Sequence, residues 1–417
     1  MNVLIKSAKI IDERYRDIHL KKRDILVKNG VIESIGIKLE APSKTKIIDL
    51  KDLCVSVGWF DSSVSFGEPG FEERETIANG LYTAAKSGFT DIVLNPNTHP
   101  VPDCSSDISF LKNKAYGHAV GLHPLGAVTV KSEGKDLAEL FDMKNTGAVG
   151  FYDYKRPIEN ANLLKIALQY AQGFNGLVHS FPLDLKIAGK GIVNESTVST
   201  KLGLKGIPAL AEELQIARDL YILEYTGGKL HIPCISTANS VKLVSDAKKK
   251  GLDVSCSVAV HNLHLFDDTL EEFDTNYKLL PPLRGKNDSK ALIKGLKDGT
   301  IDFVTSDHTP IDVEGKRVEF DNADYGSIGL ESVFGILNTL FDIEAVIGLL
   351  TKGRERYTLE TPQLEKGEKA NLTLFESTSE YKFTPKHIDS TSKNSAALYC
   401  AMKGSVYGII SNGQIII

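Results

Sequence analysis

The sequence is poor in cysteine and contains none of the close cysteine pairs that bind metals or form redox disulfides. The 417-residue chain has five cysteines, with no C-x-x-C spacing: Cys54, Cys104, Cys234, Cys256 and Cys400. An odd, dispersed set argues against a disulfide-stapled secreted protein and indicates reduced thiols. We therefore expect a cytoplasmic protein.

Long apolar runs and a surplus of basic residues are absent as well. No window reaches the roughly 18 apolar residues that a membrane-spanning helix needs. The opening "MNVLIKSAKIIDE" alternates like a strand and lacks the apolar segment of a signal peptide. The net charge of −5 and a pI near 6.1 argue against a nucleic-acid-binding protein. We expect neither a membrane nor a nucleic acid as a partner.

The middle of the chain alternates between apolar strands and amphipathic helices. Eight strand candidates occur in order: "SVGWFDSSV", "FTDIVLNPN", "VGLHPLGAV", "GAVGFYDYK", "NGLVHSF", "KLHIPCIST", "DVSCSVAVH" and "IDFVTSDHT". Helical stretches such as "TIANGLYTAAKSG" separate most of them. This pattern predicts a (β/α)₈ barrel. A doubly wound sheet is the alternative, but no G-x-G-x-x-G follows the first strand, so a dinucleotide-binding version has little support.

The two ends of the chain have a different pattern from the middle. Residues 1–56 and 360–417 contain short alternating runs, and Asn29-Gly30 and Asn412-Gly413 are hairpin turn signals. We predict a small β-sandwich domain formed by both ends, with the barrel domain at 57–359 inserted between them.

Polar side chains stand where several predicted barrel strands end, which is the catalytic face of such barrels. In strand order they are Ser63 and Ser65, Asn95 and Asn97, Asp153 and Lys155, His179, Cys234, and Asp307 with His308. Taken singly, each has an ordinary structural interpretation, such as a hydrogen-bonded histidine, a buried thiol or an Asx cap. Their shared position at strand ends favours a metal or acid–base cluster, although spacing alone does not prove that they meet.

Several longer stretches resemble the dihydroorotases, a family of the amidohydrolase superfamily, and the likeness is closest to the long class I type. The stretches are "EPGFEERETIANGLYTAAKSGFTDIVLNPNTHPVPD", "GIVNESTVSTKLGLKGIPALAEELQIARDLYILEYTGGKLHI", "KLLPPLRGKNDSKALIKGLKDGTIDFVTSDHTP", "YGSIGLES" and "STSKNSAALYCAMKGSVYGIISNGQ". The resemblance covers nearly the whole chain. It implies the same barrel and sandwich. It also implies the interconversion of N-carbamoyl-L-aspartate and dihydroorotate at one or two zinc ions.

Many of the positions that the family uses for chemistry hold other residues here. Ser63 and Ser65 stand where the family has its His-x-His metal ligands, and Gly67 stands where it has a substrate-binding arginine. Three further positions are changed: Cys234 for the histidine after strand six, Leu280 for an asparagine, and Ile311 for a substrate-binding histidine. Serine is a poor zinc ligand compared with histidine, and glycine cannot clamp a carboxylate. The resemblance therefore implies a degenerate site.

Some family residues persist. Asn97 and the Tyr325-Gly326 segment match substrate-binding positions, and His179 and Asp307 match metal-binding or catalytic ones, with Asp307 as a vestigial general base. The strand-four ligand corresponds either to Asp153 or, by likeness to the carboxylated lysine of hydantoinases, to Lys155. A single zinc held by His179, Cys234 and one of these two is an alternative to the metal-free pocket that we favour.

The resemblance leads to three functional hypotheses. We favour a non-catalytic dihydroorotase homologue of pyrimidine biosynthesis that acts as a structural or regulatory partner of aspartate transcarbamoylase. An active cyclic amidohydrolase with a reduced one-zinc site is the alternative, and a sensor that binds a pyrimidine intermediate is the third. We also expect a homo-oligomer, a dimer.

Overall fold

The computed structural model describes the whole chain, residues 1–417, and contains two large sheets and a set of helices. In chain order the strands are β1 (Val3–Ile10), β2 (Lys22–Lys28), β3 (Val31–Gly36), β4 (Lys46–Ile48), β5 (Cys54–Val57), β6 (Trp59–Val64), β7 (Phe89–Leu94), β8 (Gly121–Gly126), β9 (Gly150–Phe151), β10 (Leu177–His179), β11 (Val193–Asn194), β12 (Gly206–Ile207), β13 (Lys229–Ile232), β14 (Val254–Ala259), β15 (Phe303–Thr305), β16 (Leu372–Lys382), β17 (Ala401–Ser411) and β18 (Gln414–Ile416).

The helices lie mostly between the strands of the barrel. They are α1 (Ile77–Lys86), α2 (Ser105–Lys114), α3 (Leu140–Thr146), α4 (Ala161–Gln172), α5 (Leu185–Ala188), α6 (Thr197–Leu202), α7 (Ala209–Thr226), α8 (Ala238–Lys249), α9 (His261–His264), α10 (Lys286–Lys297), α11 (Val313–Lys316), α12 (Leu330–Leu340) and α13 (Ile343–Thr351). No helix is both long enough and apolar enough to cross a membrane.

Eight parallel strands form a nearly closed barrel in the order β6-β7-β8-β9-β10-β13-β14-β15, which confirms the predicted barrel. The remaining gap is bridged just beyond the strands, where Val64 pairs with His308 and the Ser65 amide donates to the His308 carbonyl over 2.8 Å. Parallel strands place all their carboxyl ends at one rim. The ends of the first and last strands therefore lie side by side.

The second sheet is built from both ends of the chain. Its order is β18-β17-β16-β5-β1-β2-β3, with β4 paired to β1. The predicted first barrel strand begins inside this sheet, because Gly58 separates β5 from β6. A Cβ at Gly58 would lie 2.0 Å from Asn371 Oδ1, so only glycine allows this close passage between the two sheets.

The interior of the barrel is packed with side chains rather than open. Phe60, Leu125, Leu177, Phe303 and Tyr357 belong to one buried cluster formed by barrel strands and the segment after α13. A larger cluster of 63 buried residues joins the outside of the barrel to its helices. Filled layers of this kind leave the rim at the carboxyl ends of the strands as the place for a site.

Candidate functional site

Ser63 and Ser65 lie side by side at the end of β6, and both are bound by one side chain. Asn95, at the end of β7, donates from Nδ2 to Ser63 Oγ and to Ser65 Oγ, each over 3.1 Å. All three residues are buried. Because residues i and i+2 of a strand share a face, one amide of the neighbouring strand reaches both hydroxyls. The two serines are thus held together by one buried hydrogen-bond network.

Lys155 and Asp307 form a buried ion pair at the centre of the rim. Lys155 Nζ lies 2.8 Å from Asp307 Oδ2, and the two side chains are 11% and 9% exposed. Burial disfavours the charged amine, but the Asp307 carboxylate outweighs this and raises the pKa of Lys155 above its ordinary value. Asp307 also accepts a longer contact from Ser63 Oγ at 3.4 Å. The ion pair therefore joins the ends of strands one, four and eight.

Cys234 belongs to the same cluster, following β13. Its side chain is buried, and burial together with the nearby Asp307 carboxylate raises the pKa of its thiol well above the ordinary range. A thiol in these surroundings stays protonated at neutral pH and is a poor nucleophile.

The side chain of His179 points away from this cluster. Its ring packs 4.7 Å from the His231 ring and 5.5 Å from the Tyr152 ring, measured between centroids. Nε2 has no hydrogen-bond partner, and a Cβ on Gly150, within β9, would lie 3.2 Å from it. Burial lowers the pKa of His179 to about 3, so the ring is neutral.

Asp153 faces a neighbouring loop and has both carboxylate oxygens occupied. Oδ1 accepts from the amides of Val128 and Thr129 at 2.9 and 3.0 Å, and Oδ2 accepts from the Thr129 hydroxyl at 2.6 Å. These bonds tie the end of strand four to the end of strand three. Of the two strand-four candidates, the structure brings Lys155 to the central cluster and gives Asp153 to the loop after β8.

Gly67 has no room for any side chain. A Cβ there would lie 1.7 Å from the Phe71 carbonyl oxygen, whose residue also donates its amide to the Gly67 carbonyl over 2.8 Å. This tight turn occupies the space that a side chain would need. An arginine at this position requires a different path for the backbone.

Two other substituted positions have become part of apolar packing. Leu280 packs against the barrel-interior cluster that includes Tyr152 and Phe181. Ile311 is 4% exposed and fills the space between two glycines: a Cβ on Gly315 would lie 2.7 Å from Ile311 Cγ2, and one on Gly326 would lie 3.0 Å from Cγ1. Neither position offers a polar group to a ligand.

The predicted substrate-binding residues lie at the periphery of the cluster. Asn97 donates from Nδ2 to the Phe66 carbonyl over 2.8 Å, while its Oδ1 is buried without a partner. Tyr325 is half-buried beside Lys278, whose Nζ lies 5.1 Å from its ring centroid, and burial raises the pKa of Tyr325 to about 12. Gly326 has a φ of 148° and passes close to Thr309.

Two features of the rim were not predicted from the sequence: the ion-pair clamp formed by Arg74 and the buried His261. Arg74 Nε lies 3.0 Å from Asp312 Oδ2, and its Nη2 lies 3.2 Å from Asp324 Oδ2, so it clamps the loop after strand eight to the loop after strand one. His261, directly after strand seven, is buried, and neither ring nitrogen has a partner. The strand-end rule applied to "SVAVHNLH" would have found His261. Nothing in the sequence identifies the clamp.

The donor set does not provide a zinc site in this arrangement. Zinc needs at least three His, Cys or carboxylate ligands whose atoms converge on one point. The only group of three such residues with ligand atoms within 4.8 Å of one another is Asp103, Cys104 and Asp107, at the start of α2. At the rim, Asp307 is bound to an ammonium group and His179 points elsewhere.

Comparisons with known proteins identify the family. A family model described as dihydro-orotase-like matches residues 54–240. The dihydroorotase of Geotalea daltonii is 37% identical, with 100% of this chain and 99% of that protein covered. The dihydroorotase of Pelotomaculum thermopropionicum is also 37% identical, over 100% of this chain and 98% of the relative.

Solved structures agree on the fold. L-hydantoinase from Arthrobacter aurescens superimposes with a TM-score of 0.85 at 20% identity, covering 99% of this chain and 95% of that one. D-hydantoinase from Thermus sp. gives 0.81 at 21% identity, over 99% and 94%. At such low identity these likenesses support the amidohydrolase type of fold alone. The full-length sequence relatives support more, and the chain belongs to the dihydroorotase family.

Proposed function

We propose that this protein is a non-catalytic dihydroorotase homologue of pyrimidine biosynthesis that serves as a structural or regulatory partner of aspartate transcarbamoylase. The observation that carries the loss of activity is the Lys155–Asp307 ion pair, with a 2.8 Å separation between Nζ and Oδ2. Asp307 matches the metal-binding aspartate of the family, and Lys155 matches the carboxylated lysine of the hydantoinase relatives.

The ion pair opposes both the carboxylation of Lys155 and the binding of a metal by Asp307. A lysine must lose its proton before its nitrogen can be carboxylated, and the Asp307 carboxylate holds that proton by raising the Lys155 pKa. The ammonium group also supplies Asp307 with the positive charge that a zinc ion would otherwise supply. A metal ion would therefore have to displace the buried Lys155 ammonium group from Asp307.

The substitutions around the ion pair weaken substrate binding as well. An arginine clamp on a carboxylate contributes about 1.5–3 kcal/mol, and Gly67 cannot carry one because Phe71 occupies the space. Ile311 presents an apolar surface where the family uses histidine. Losing metal-binding and substrate-binding groups together supports release from catalysis over adaptation to a new amide.

A retained fold supports a role that depends on shape. Buried apolar clusters fill the barrel and the sheet formed by both ends, and Arg74 clamps Asp312 and Asp324. A protein that needed neither activity nor a partner would be under no constraint to keep them. Because the proposal places the protein beside the preceding enzyme of the pathway, aspartate transcarbamoylase is the partner to test first.

The first experiment measures metal and turnover on the purified full-length chain. After incubation with zinc and removal of free metal, we expect well under one zinc per chain by elemental analysis. We also expect no turnover of dihydroorotate or N-carbamoyl-L-aspartate. Stoichiometric zinc together with turnover that Asp307→Ala abolishes would refute the proposal.

The second experiment tests the partner. Affinity-tagged protein expressed at its natural level in its host should co-purify with aspartate transcarbamoylase. That enzyme should change its sedimentation when the gene for this chain is deleted. If the enzyme neither associates with the chain nor changes its assembly in the deletion strain, the scaffold role is wrong.

One observation favours the active alternative, a cyclic amidohydrolase with a single zinc. His179 Nε2 is buried without a hydrogen-bond partner, as expected of a nitrogen that binds a metal ion. Cys234→Ser separates the two functions, with Cys256→Ser as the matched buried-cysteine control. Zinc lost from Cys234→Ser and kept by Cys256→Ser would establish the one-metal site.

A further inference from the structure

The longest helix of the protein, α7, exposes a row of large apolar side chains. Leu210, Leu214, Tyr221 and Tyr225 are 55%, 46%, 73% and 79% exposed. With 3.6 residues per turn, these four and the half-buried Ala217 fall within an arc of about 80°. They therefore form one continuous line, which we call the α7 stripe.

A neighbouring helix widens the stripe. Ile166 and Tyr170 of α4 are 41% and 48% exposed. The two helices run side by side: the Arg218 side chain donates to the Glu159 carbonyl before α4, and Gln172 at its end donates to the Thr226 carbonyl. Ile166 and Tyr170 thus lie beside the carboxyl-terminal half of the stripe. Contiguous apolar surface of this extent usually marks an interface.

The order of side chains along α7 is suited to a second copy of the same helix. Leu210 and Tyr225 are equally distant from the midpoint between positions 217 and 218, and so are Leu214 and Tyr221. In an antiparallel pairing about a two-fold axis at that midpoint, each leucine meets a tyrosine of the other copy. The small side chain of Ala217 lies near the axis, where the helices come closest.

Charged side chains beside the stripe are paired within their own chain: Glu224, next to Tyr225, lies 2.9 Å from Lys250 Nζ. The stripe contains no ionisable group that is charged at neutral pH. Arg218, next to the midpoint, is turned away from a second copy: its Nη2 lies 2.7 Å from Asp219 Oδ1, and it also donates to the Ile158 carbonyl. Two copies can therefore approach without bringing unpaired guanidinium groups together.

The area is sufficient for a specific dimer. The six large side chains of α7 and α4 are 41–79% exposed. Covering them would remove roughly 600 Å² per chain, because each aromatic side chain alone can bury about 150–250 Å². Two chains then reach about 1,200 Å², the lower limit of stable interfaces.

We propose that two copies of this protein associate through the α7 stripe, antiparallel, with Leu214 of each chain against Tyr221 of the other. The dimer follows from the surface of the barrel's outer helices. It does not depend on whether the rim binds metal or substrate.

Light scattering after size-exclusion chromatography tests the interface and its register. The wild-type protein should have twice the 45.6 kDa mass of one chain. Leu214→Lys and Tyr221→Glu, made separately, should each reduce the mass to that of one chain. The double variant Leu214→Lys/Tyr221→Glu should restore the dimer, since each lysine then faces a glutamate of the other copy. These two positions lie about 10 Å apart on their own helix, too far to pair within one chain.

The controls separate loss of the interface from loss of folding. Tyr116→Glu changes a tyrosine that is 89% exposed outside the stripe, and it should leave the mass at two chains. Both single variants should keep the circular dichroism spectrum of the wild-type protein and should still unfold cooperatively. A monomeric wild-type protein, dimeric single variants or a double variant that stays monomeric would each overturn the proposal.

Discussion

The Lys155–Asp307 ion pair makes a quantitative prediction about stability. Lys155→Met keeps an unbranched side chain one atom shorter than lysine but leaves the Asp307 carboxylate buried, with the 3.4 Å contact from Ser63 Oγ in partial compensation. At the 2.8 Å separation of the pair, the charges attract by about 6 kcal/mol at an effective dielectric constant of about 20. Desolvation of the lysine offsets part of that value. We expect the variant to lose about 3–5 kcal/mol of unfolding free energy at pH 8.

Urea unfolding is the assay, followed by the fluorescence of Trp59. This is the only tryptophan, and it is fully buried between the barrel and its helices. Lys155→Met should lower the urea midpoint with an unchanged slope. The double variant Lys155→Met/Asp307→Asn should recover about 2 kcal/mol or more, because it no longer buries an unpaired charge.

A surface ion pair supplies the matched control. Lys201 Nζ lies 3.1 Å from Glu271 Oε1, and the two side chains are 71% and 54% exposed. Breaking this pair with Lys201→Met should cost only about 0–1 kcal/mol. If Lys155→Met is as mild as this control, the two rim side chains do not form a buried pair, and the proposal of a non-catalytic rim loses its main support.

The pH dependence of the Lys155→Met variant gives an independent check. Burial raises the pKa of Asp307 even in the wild-type protein, although the Lys155 ammonium group acts to lower it. Removing the ammonium group therefore moves this pKa further above its value in the unfolded chain. The folded variant then binds the proton more tightly than the unfolded one. Its stability should therefore rise relative to wild type as the pH falls from 8 towards 5, and a constant difference over this range would contradict a charged, unpaired Asp307.

Three further predictions concern the surroundings of the pair and the second sheet. Gly67→Ala should cost about 3 kcal/mol in urea unfolding, since its Cβ would overlap the Phe71 carbonyl; near-wild-type stability would show that the turn relaxes easily. Asn95→Leu should cost about 1–3 kcal/mol by leaving two buried hydroxyls without their donor, and a neutral effect would show that water replaces the amide. Although burial acts in the opposite direction, hydrogen bonds from Ser379 and nearby groups lower the pKa of Glu376 to about 2. Its contribution to stability is therefore present above pH 4.5 and lost towards pH 2, and Glu376→Gln should flatten this acid limb of the unfolding profile.

The barrel could be predicted from the sequence because its signals are local and repeated. Eight apolar stretches alternate with amphipathic helices, and each predicted stretch contains one barrel strand of the structure. The predicted strand "SVGWFDSSV" runs across the change of sheet at Gly58, because no turn signal other than that glycine marks it. The division between two sheets there depends on the approach of Asn371, which is more than 300 residues away.

The sequence predicts which residues lie at the strand ends, but not which way each side chain points. The strand-end rule selected Ser63, Ser65, Lys155, Cys234 and Asp307, and the structure brings these five together. It selected Asp153 and His179 on equal grounds. A strand of two or three residues followed by a turn does not determine which face its last side chain takes, because one change in φ reverses that face. Lys155 has a φ of 52°, a conformation that no sequence pattern in "FYDYK" indicates.

The same geometry bears on whether single substitutions could restore a metal site. At three places in the rim, another group occupies the space or supplies the charge that a family-type site would need. The ammonium group of Lys155 lies beside Asp307, the Phe71 carbonyl fills the space next to Gly67, and Ile311 fills the gap between Gly315 and Gly326. Returning histidines to positions 63 and 65 would add ligands while Lys155 still neutralised Asp307 and while the turn at Gly67 still excluded an arginine. A pocket that had only lost its ligands would accept them back one at a time. In this rim the ion pair, the turn at Gly67 and the residues at positions 63 and 65 act together, so under the proposed non-catalytic role a gain of activity would require changing all three.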